Sequence, residues 1–188
     1  MIMPDTITSE EGLVIAVSGH HGSGRSTHAI RLAETFGLKY ISSGTIFRDM
    51  AKERGITLEE MSKLTEEDPH IDRLIDERAK EESKKRGVVI DATLAGWMTL
   101  EPDLRFFLTT PLEERVKRIS EREKICIEDA RRETIIRSKS ERERFLEFYG
   151  IDISDLSIYD LVLNTNLFTP DGTAHILKSL VDEYLKER

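Results

Sequence analysis

The chain of 188 residues carries 28 basic against 36 acidic side chains, a net charge of −8 at pH 7. That length holds one α/β core with a small insertion rather than two independent cores. The acidic balance excludes non-specific binding of nucleic acid or an anionic membrane by the whole surface. The longest apolar run, Leu13–Val17, is far too short to span a bilayer, and Cys126, the single cysteine, permits no intramolecular disulfide and no all-cysteine metal cluster.

Taken in chain order, Met1 to Gly12 read as a loose polar leader. Asp5, Glu10 and Glu11 with no basic n-region do not make a signal peptide, so a cytoplasmic location is expected. Leu13–Ser18 is a continuous apolar strand, followed by a glycine-rich loop and a helix carrying Ala29, Ile30, Leu32 and Ala33. Lys39–Ser42 is a weaker strand. Thr57-Leu-Glu-Glu60 is a capping box, and a helix between Pro69 and Arg86 places Ile71, Leu74, Ile75 and Ala79 on one face. Gly87–Asp91, Leu104–Thr109 and Tyr159–Asn164 are further buried strands. Thr110-Pro-Leu-Glu113 reads as an N-cap, a proline at the first helical position and a capping-box glutamate. Thr169-Pro170 opens a last helix with Ile176, Leu177, Leu180, Val181 and Tyr184. Strands alternating with helices predict a doubly wound α/β fold with a five-stranded parallel sheet, whose ligands lie beyond the carboxyl ends of the strands.

Directly after the first strand come Gly19, His20, His21, Gly22, Ser23, Gly24, Arg25, Ser26 and Thr27. This matches the phosphate loop G-x-x-x-x-G-K-[ST] except that Arg25 stands in the lysine position. Its glycines admit positive φ, so consecutive N–H groups can turn onto a polyphosphate, and the following helix N-terminus adds partial positive charge. Ser26 is placed to meet Mg²⁺. The bland alternative, a tight glycine turn, does not call for three glycines in this frame between a strand and a helix. His20 and His21 read as loop residues that matter through their backbone, their rings incidental. Arg25, a planar fork instead of a point charge, either spans the β- and γ-phosphates or marks a binder that transfers nothing. Arg48, one helical turn past the second strand, is suited to clamp a second anion. Asp91, at the end of a strand, is suited to hold Mg²⁺ through water; read blandly, the two are a solvated helix residue and a strand-end cap.

Ile41-Ser-Ser-Gly-Thr-Ile-Phe-Arg48, Leu94-Ala-Gly-Trp97-Met98, Phe148-Tyr-Gly-Ile-Asp-Ile153 and Asp155-Leu-Ser-Ile-Tyr-Asp-Leu-Val-Leu-Asn-Thr165 carry a resemblance that runs from Val14 to about Asp182. On these stretches the chain resembles the archaeal-type cytidylate kinases of the nucleoside-monophosphate kinase group of P-loop proteins. The resemblance implies a P-loop three-layer sandwich with a helical lid and a monophosphate-binding insertion, and Mg-ATP-dependent phosphorylation of CMP and dCMP. It implies one kinase domain over 1–188, with core 12–110 and 150–188, monophosphate-binding helices about 44–86 and a lid about 118–146. ATP and a pyrimidine nucleoside monophosphate would be its partners, with no nucleic acid or membrane, and a monomer is expected.

By the same resemblance, Ser43 and Arg48 match the monophosphate-binding segment; Trp97, just after Gly96, is placed either to wall that pocket or, as the only tryptophan, to sit in the core. Arg137, Glu141 and Arg144 resemble the Arg…Asp…Arg spacing that holds phosphate and cytosine, with glutamate for aspartate at 141. Arg118 and Arg122 resemble lid arginines, and Asn164 and Thr165 fall where adenine is cradled. The catalytic candidates are thus Arg25, Arg118, Arg122 and Arg137. One further departure stands out: where the family has Glu-Gly-Arg-Leu-Ala-Gly-Trp, this chain has Asp91-Ala-Thr93-Leu-Ala-Gly-Trp97, so Thr93 replaces a phosphate-binding arginine. Residues 113–144 carry 11 basic and 9 acidic side chains, net +2 in an acidic protein, which suits closure over a nucleotide as well as a solvated helical hairpin. Cys126 is expected to pack rather than react. The alternatives are a kinase of another small acceptor, or a silent P-loop nucleotide-binding module, which Arg25 and Thr93 together would favour.

Overall fold

The computed structural model describes residues 12–67 and 70–188; residues 1–11 of the leader and Pro69 lie outside the described residues. Five parallel strands, β1 (Val14–Gly19), β2 (Lys39–Ser42), β3 (Val88–Asp91), β4 (Leu104–Thr109) and β5 (Leu161–Asn164), form one sheet in the order β2-β3-β1-β4-β5. β1 is buried along its whole length, and its side chains alternate between two covered faces, as a doubly wound sheet requires. Leu13, Ile15 and Val17 pack with Phe106, Leu108 and two helices, α1 (Arg25–Phe36) and α8 (Pro170–Glu187). Val14 and Ala16 pack on the other face, with Val88 and Ile90, against α2 (Ser43–Arg54), α3 (Leu58–Glu67), α4 (His70–Lys84) and the short α5 (Ala95–Met98). Chain direction across the sheet reverses beside β1, so the crevice at the carboxyl ends opens next to Gly19.

Several boundaries differ from the sequence reading for visible reasons. Gly87 is left-handed (φ 64) and turns the chain into β3 instead of joining it. β5 starts at Leu161 because the Asp160 carboxylate accepts the Arg105 N–H at 2.6 Å, taking the place of a ladder carbonyl. The Thr57–Glu60 capping box and the Thr169-Pro170 helix start are present. The box expected at Thr110–Glu113 is not. Helix α6 (Leu112–Glu123) has Pro111 as N-cap with no side-chain cap; the Thr110 hydroxyl meets Thr165 at 2.6 Å and Glu113 pairs with Arg131. Leu74 is 42% exposed instead of sharing the buried face of Ile71 and Ile75. Cys126 does not pack: it is exposed and caps α7 (Ile127–Tyr149), its sulfur accepting the Asp129 N–H at 3.4 Å. α6 and α7 form a hairpin turned at left-handed Lys124, with their own small core of Val116, Ile119 and Ala130. Beyond Ala130, Ile135 and Ile136 are exposed on α7.

Candidate active site

The phosphate loop leaves β1 at Gly19 and enters α1 through Gly24, a left-handed N-cap. Gly22 also has positive φ (83), and a Cβ there would sit 3.1 Å from the Arg115 carbonyl, so the loop runs hard against α6. Arg115 fixes that contact. It is 7% exposed, its Nε donates to the His21 carbonyl at 2.7 Å and its Nη2 to the Ser138 hydroxyl at 3.0 Å. Burial holds its pKa below the usual arginine value. It joins the loop, α6 and α7, and the sequence reading counted it only as one charge among many.

Both loop histidines use their rings. His20 meets Phe107 edge-on at 5.2 Å, and His21 Nε2 lies 3.1 Å from Arg122 Nη2. Burial first, then neighbouring arginines, lower both pKa values, that of His21 to about 4, so the rings are neutral at pH 7 and add no charge against a phosphate. His20 contacts Phe107, whose ring is 5.1 Å from Tyr159; Tyr159 in turn crowds Gly96.

On the donor side, Arg118 donates to Glu114 at 2.9 Å and to the Thr165 hydroxyl at 3.1 Å. Arg122 pairs with Glu123 at 2.6 Å. The Thr165 hydroxyl is buried and also donates to the Ser23 carbonyl at 2.9 Å, so it clasps the phosphate loop to the end of β5. Asn164 accepts the Asn166 N–H at 3.0 Å and caps a single 3-10 turn, Thr165–Leu167. These residues do surround the loop, but Thr165 is engaged inward instead of presented to a purine.

Across the loop, a cleft of about 520 Å³ is lined by Arg25, Ser43, Thr93, Arg137, Glu141 and Arg144, together with Arg73, Asp76, Phe145, Phe148 and Tyr149. Four arginines face two carboxylates, a net positive basin for an anion. Arg137 pairs with Glu141 at 3.0 Å, and Arg144 lies over the Phe145 ring at 5.3 Å. The Tyr149 hydroxyl donates to Asp76 at 2.7 Å, and burial together with that carboxylate raises its pKa. Arg73 stacks on Phe148 at 5.7 Å. Arg48 is outside the cleft lining; its Nη1 comes 3.6 Å from where a Cβ on Gly44 would be, beside Ser43 on the rim, and it has no ion pair among the described residues. Gly96 and Trp97 do not line the cleft. Gly96 is buried against Tyr159, with its N–H on the Ser18 hydroxyl at 2.9 Å. The sequence reading missed Arg73 and Asp76, on a segment read as a packing helix, and Tyr149, which lies in the Phe148–Ile153 stretch that carries the resemblance without a named role.

Asp91 is 2% exposed, and both its oxygens have partners, Arg25 Nε at 2.5 Å and the Tyr40 hydroxyl at 2.7 Å. Ser26 is exposed at the start of α1. Among the described residues no group of three His, Cys, Asp or Glu forms a metal cage. The exposed Ser26 hydroxyl fits Mg²⁺, which takes few protein ligands and completes its shell with phosphate and water oxygens, whereas Asp91, buried with both oxygens engaged, is not free to hold the ion as the sequence reading expected.

A parallel sheet with a phosphate loop after its central strand, facing a cationic cleft at the same carboxyl end of the sheet, defines a P-loop kinase. A family model described as an AAA domain matches residues 18–137. The chain is 46% identical over 176 residues, 93% of its length and 99% of the relative's, to the cytidylate kinase of Staphylothermus marinus. To the cytidylate kinase of Thermococcus kodakarensis it is 49% identical over 170 residues, 90% of this chain and 88% of that one. A solved shikimate kinase from Acinetobacter baumannii in complex with shikimate shares the fold, with TM-score 0.57, 16% identity, and coverage of 95% of this chain and 96% of that one. The chain belongs to the cytidylate kinase family.

Proposed function

We propose that this protein transfers the γ-phosphoryl group of ATP to CMP or dCMP, yielding ADP and CDP or dCDP. The observation that carries this reading is the cationic cleft lined by Ser43, Arg137 and Arg144 and set against the phosphate loop, in a chain 46–49% identical to cytidylate kinases over nine-tenths of its length. An oxygen of the acceptor's phosphate attacks the γ-phosphorus as the bond from that phosphorus to the bridging oxygen breaks, and the electron pair leaves with ADP. The protein forms no covalent bond; it aligns the two phosphates, offsets their charge and keeps water away.

In this account the N–H groups of residues 19–27 hold the donor's phosphates, with Arg118 and Arg122 beside them. Asn164 and the turn after it border the adenine side. Arg48 and Ser43 meet the acceptor's phosphate at the rim, and Arg137 and Arg144 do so from α7. Glu141 keeps Arg137 aligned, and Phe148 with Arg73 offers a flat platform for the pyrimidine ring. Bound Mg²⁺, held by Ser26 and the donor, would neutralise charge between the β- and γ-phosphates. Residues 118–146 act as the lid, the α6–α7 hairpin closing once both nucleotides are seated. The acceptor cleft weighs against a silent module, which has no use for a second anion site.

A bisubstrate analogue joining adenosine to cytidine through a polyphosphate tests the pairing of sites. It should raise Tm well beyond the shift given by ATP or by CMP at the same concentration. A shift no larger than that of ATP would contradict a second nucleotide site.

A further inference from the structure

Arg25 sits at the phosphate-loop position that ordinarily serves the donor, yet its side chain is turned the other way. Its Nε donates to Asp91 Oδ1 at 2.5 Å, and its Nη1 donates to the Gly19 carbonyl at 3.0 Å and to the Thr93 hydroxyl at 3.1 Å. Asp91 is itself fixed from behind by the Tyr40 hydroxyl at 2.7 Å. The guanidinium is therefore held at Nε and at Nη1 by β1, β3 and the residue two beyond β3. A guanidinium has five N–H groups; those on Nε and Nη1 are engaged, while Nη2 has no partner among the described residues. The side chain is 20% exposed, and what it faces is the acceptor cleft, which it lines with Ser43, Arg137 and Arg144.

We propose that Arg25 binds the phosphate of the acceptor nucleotide through Nη2, and that Asp91, Tyr40 and Thr93 are positioning residues that keep its fork turned there. The inference rests on the kinase reading above and assigns the arginine to the opposite substrate. Thr93 contributes a hydroxyl that supports a guanidinium arriving from the loop. A lysine at position 25 cannot reproduce this: one ammonium drawn to Asp91 cannot hold Thr93 and present a second donor edge. Pairing with Asp91 offsets part of the charge, so the effect on affinity should be that of a charge-assisted hydrogen bond, about tenfold or more.

Calorimetric titration separates the substrates: CMP without ATP or metal, and ATP with Mg²⁺ without CMP. Arg25→Ala and Arg25→Lys should each weaken CMP binding about tenfold or more and ATP binding less than about threefold. Thr93→Val should weaken CMP binding about threefold and leave ATP binding unchanged. Arg25→Ala combined with Thr93→Arg should recover most of the CMP affinity, because a guanidinium returns to the same corner from the β3 side. ATP affinity falling tenfold with CMP affinity intact would overturn the proposal, as would equal losses for both nucleotides with a lowered Tm. A wild-type chain that binds ATP but not CMP would instead overturn the kinase reading itself.

Discussion

Gly96→Ala should destabilise the protein even though alanine is the better helix former by roughly 1 kcal/mol. A Cβ at position 96 would lie 2.8 Å from Tyr159 Cζ and 3.0 Å from its hydroxyl oxygen, with Cε1 closer still. Ordinary contact needs about 3.4 Å or more, so one side must move. Gly96 cannot readily retreat, since its N–H is held by Ser18 at 2.9 Å and its carbonyl by Arg105 at 3.2 Å. The Tyr159 ring is backed by Phe107, which abuts His20 of the phosphate loop. Overpacking of this kind costs about 1–3 kcal/mol, and the net loss here should be about 2 kcal/mol. Urea unfolding at constant m-value measures it. In a Tyr159→Ala background the space is open, so the same substitution should cost less than about 0.5 kcal/mol, giving a coupling energy of about 1.5 kcal/mol. Equal costs in both backgrounds would refute the steric account.

Arg48→Ala should raise the KM for CMP about tenfold and leave that for ATP unchanged, because Arg48 stands at the acceptor rim; steady-state kinetics with an unchanged KM for CMP would remove it from the site. Asp103 accepts the Val14 N–H at 2.8 Å, Arg86 at 2.6 Å and the Tyr184 hydroxyl at 3.1 Å, at the sheet end away from the cleft. Asp103→Ala should therefore cost about 2–4 kcal/mol in urea unfolding, with kcat and KM retained. His28 is 4% exposed, and burial, then Arg31 and Arg118, lower its pKa from 6.5 to about 4. Below pH 6.5 the unfolded chain takes up this proton while the folded one does not, so stability is lost as pH falls from 6.5 toward 4. The loss is about 2 kcal/mol between pH 7 and pH 5 from this residue, with His20 and His21 adding in the same direction. Unfolding of His28→Leu at both pH values should show a correspondingly shallower dependence; the wild-type slope would contradict it.

The parts of the fold legible in the sequence were those written locally. β1 is a continuous apolar run ending in three framed glycines, and Thr57–Glu60 and Thr169-Pro170 carry their caps within four residues. Thr110 has the same local signature, yet its hydroxyl goes to Thr165, a partner 55 residues away that no local pattern reveals. The site follows the same division. Phosphate-loop spacing names Arg25 without showing which way its side chain turns, since that depends on Asp91, Tyr40 and Thr93 from other strands. Arg73 and Asp76 look like the solvated face of a helix until α7 is laid across them. Trp97, conspicuous as a lone tryptophan, lies outside the cleft, and the neighbouring Gly96 is packed against Tyr159, 63 residues away in sequence, a partner that no local pattern reveals.

ADP release from Mg-ATP, measured with CMP, dCMP, UMP, AMP, GMP or no acceptor, tests the central claim most directly. Turnover dependent on an acceptor and selective for CMP and dCMP is the predicted result. Release without an acceptor, or tight ATP binding with no turnover on any of the five, would contradict it.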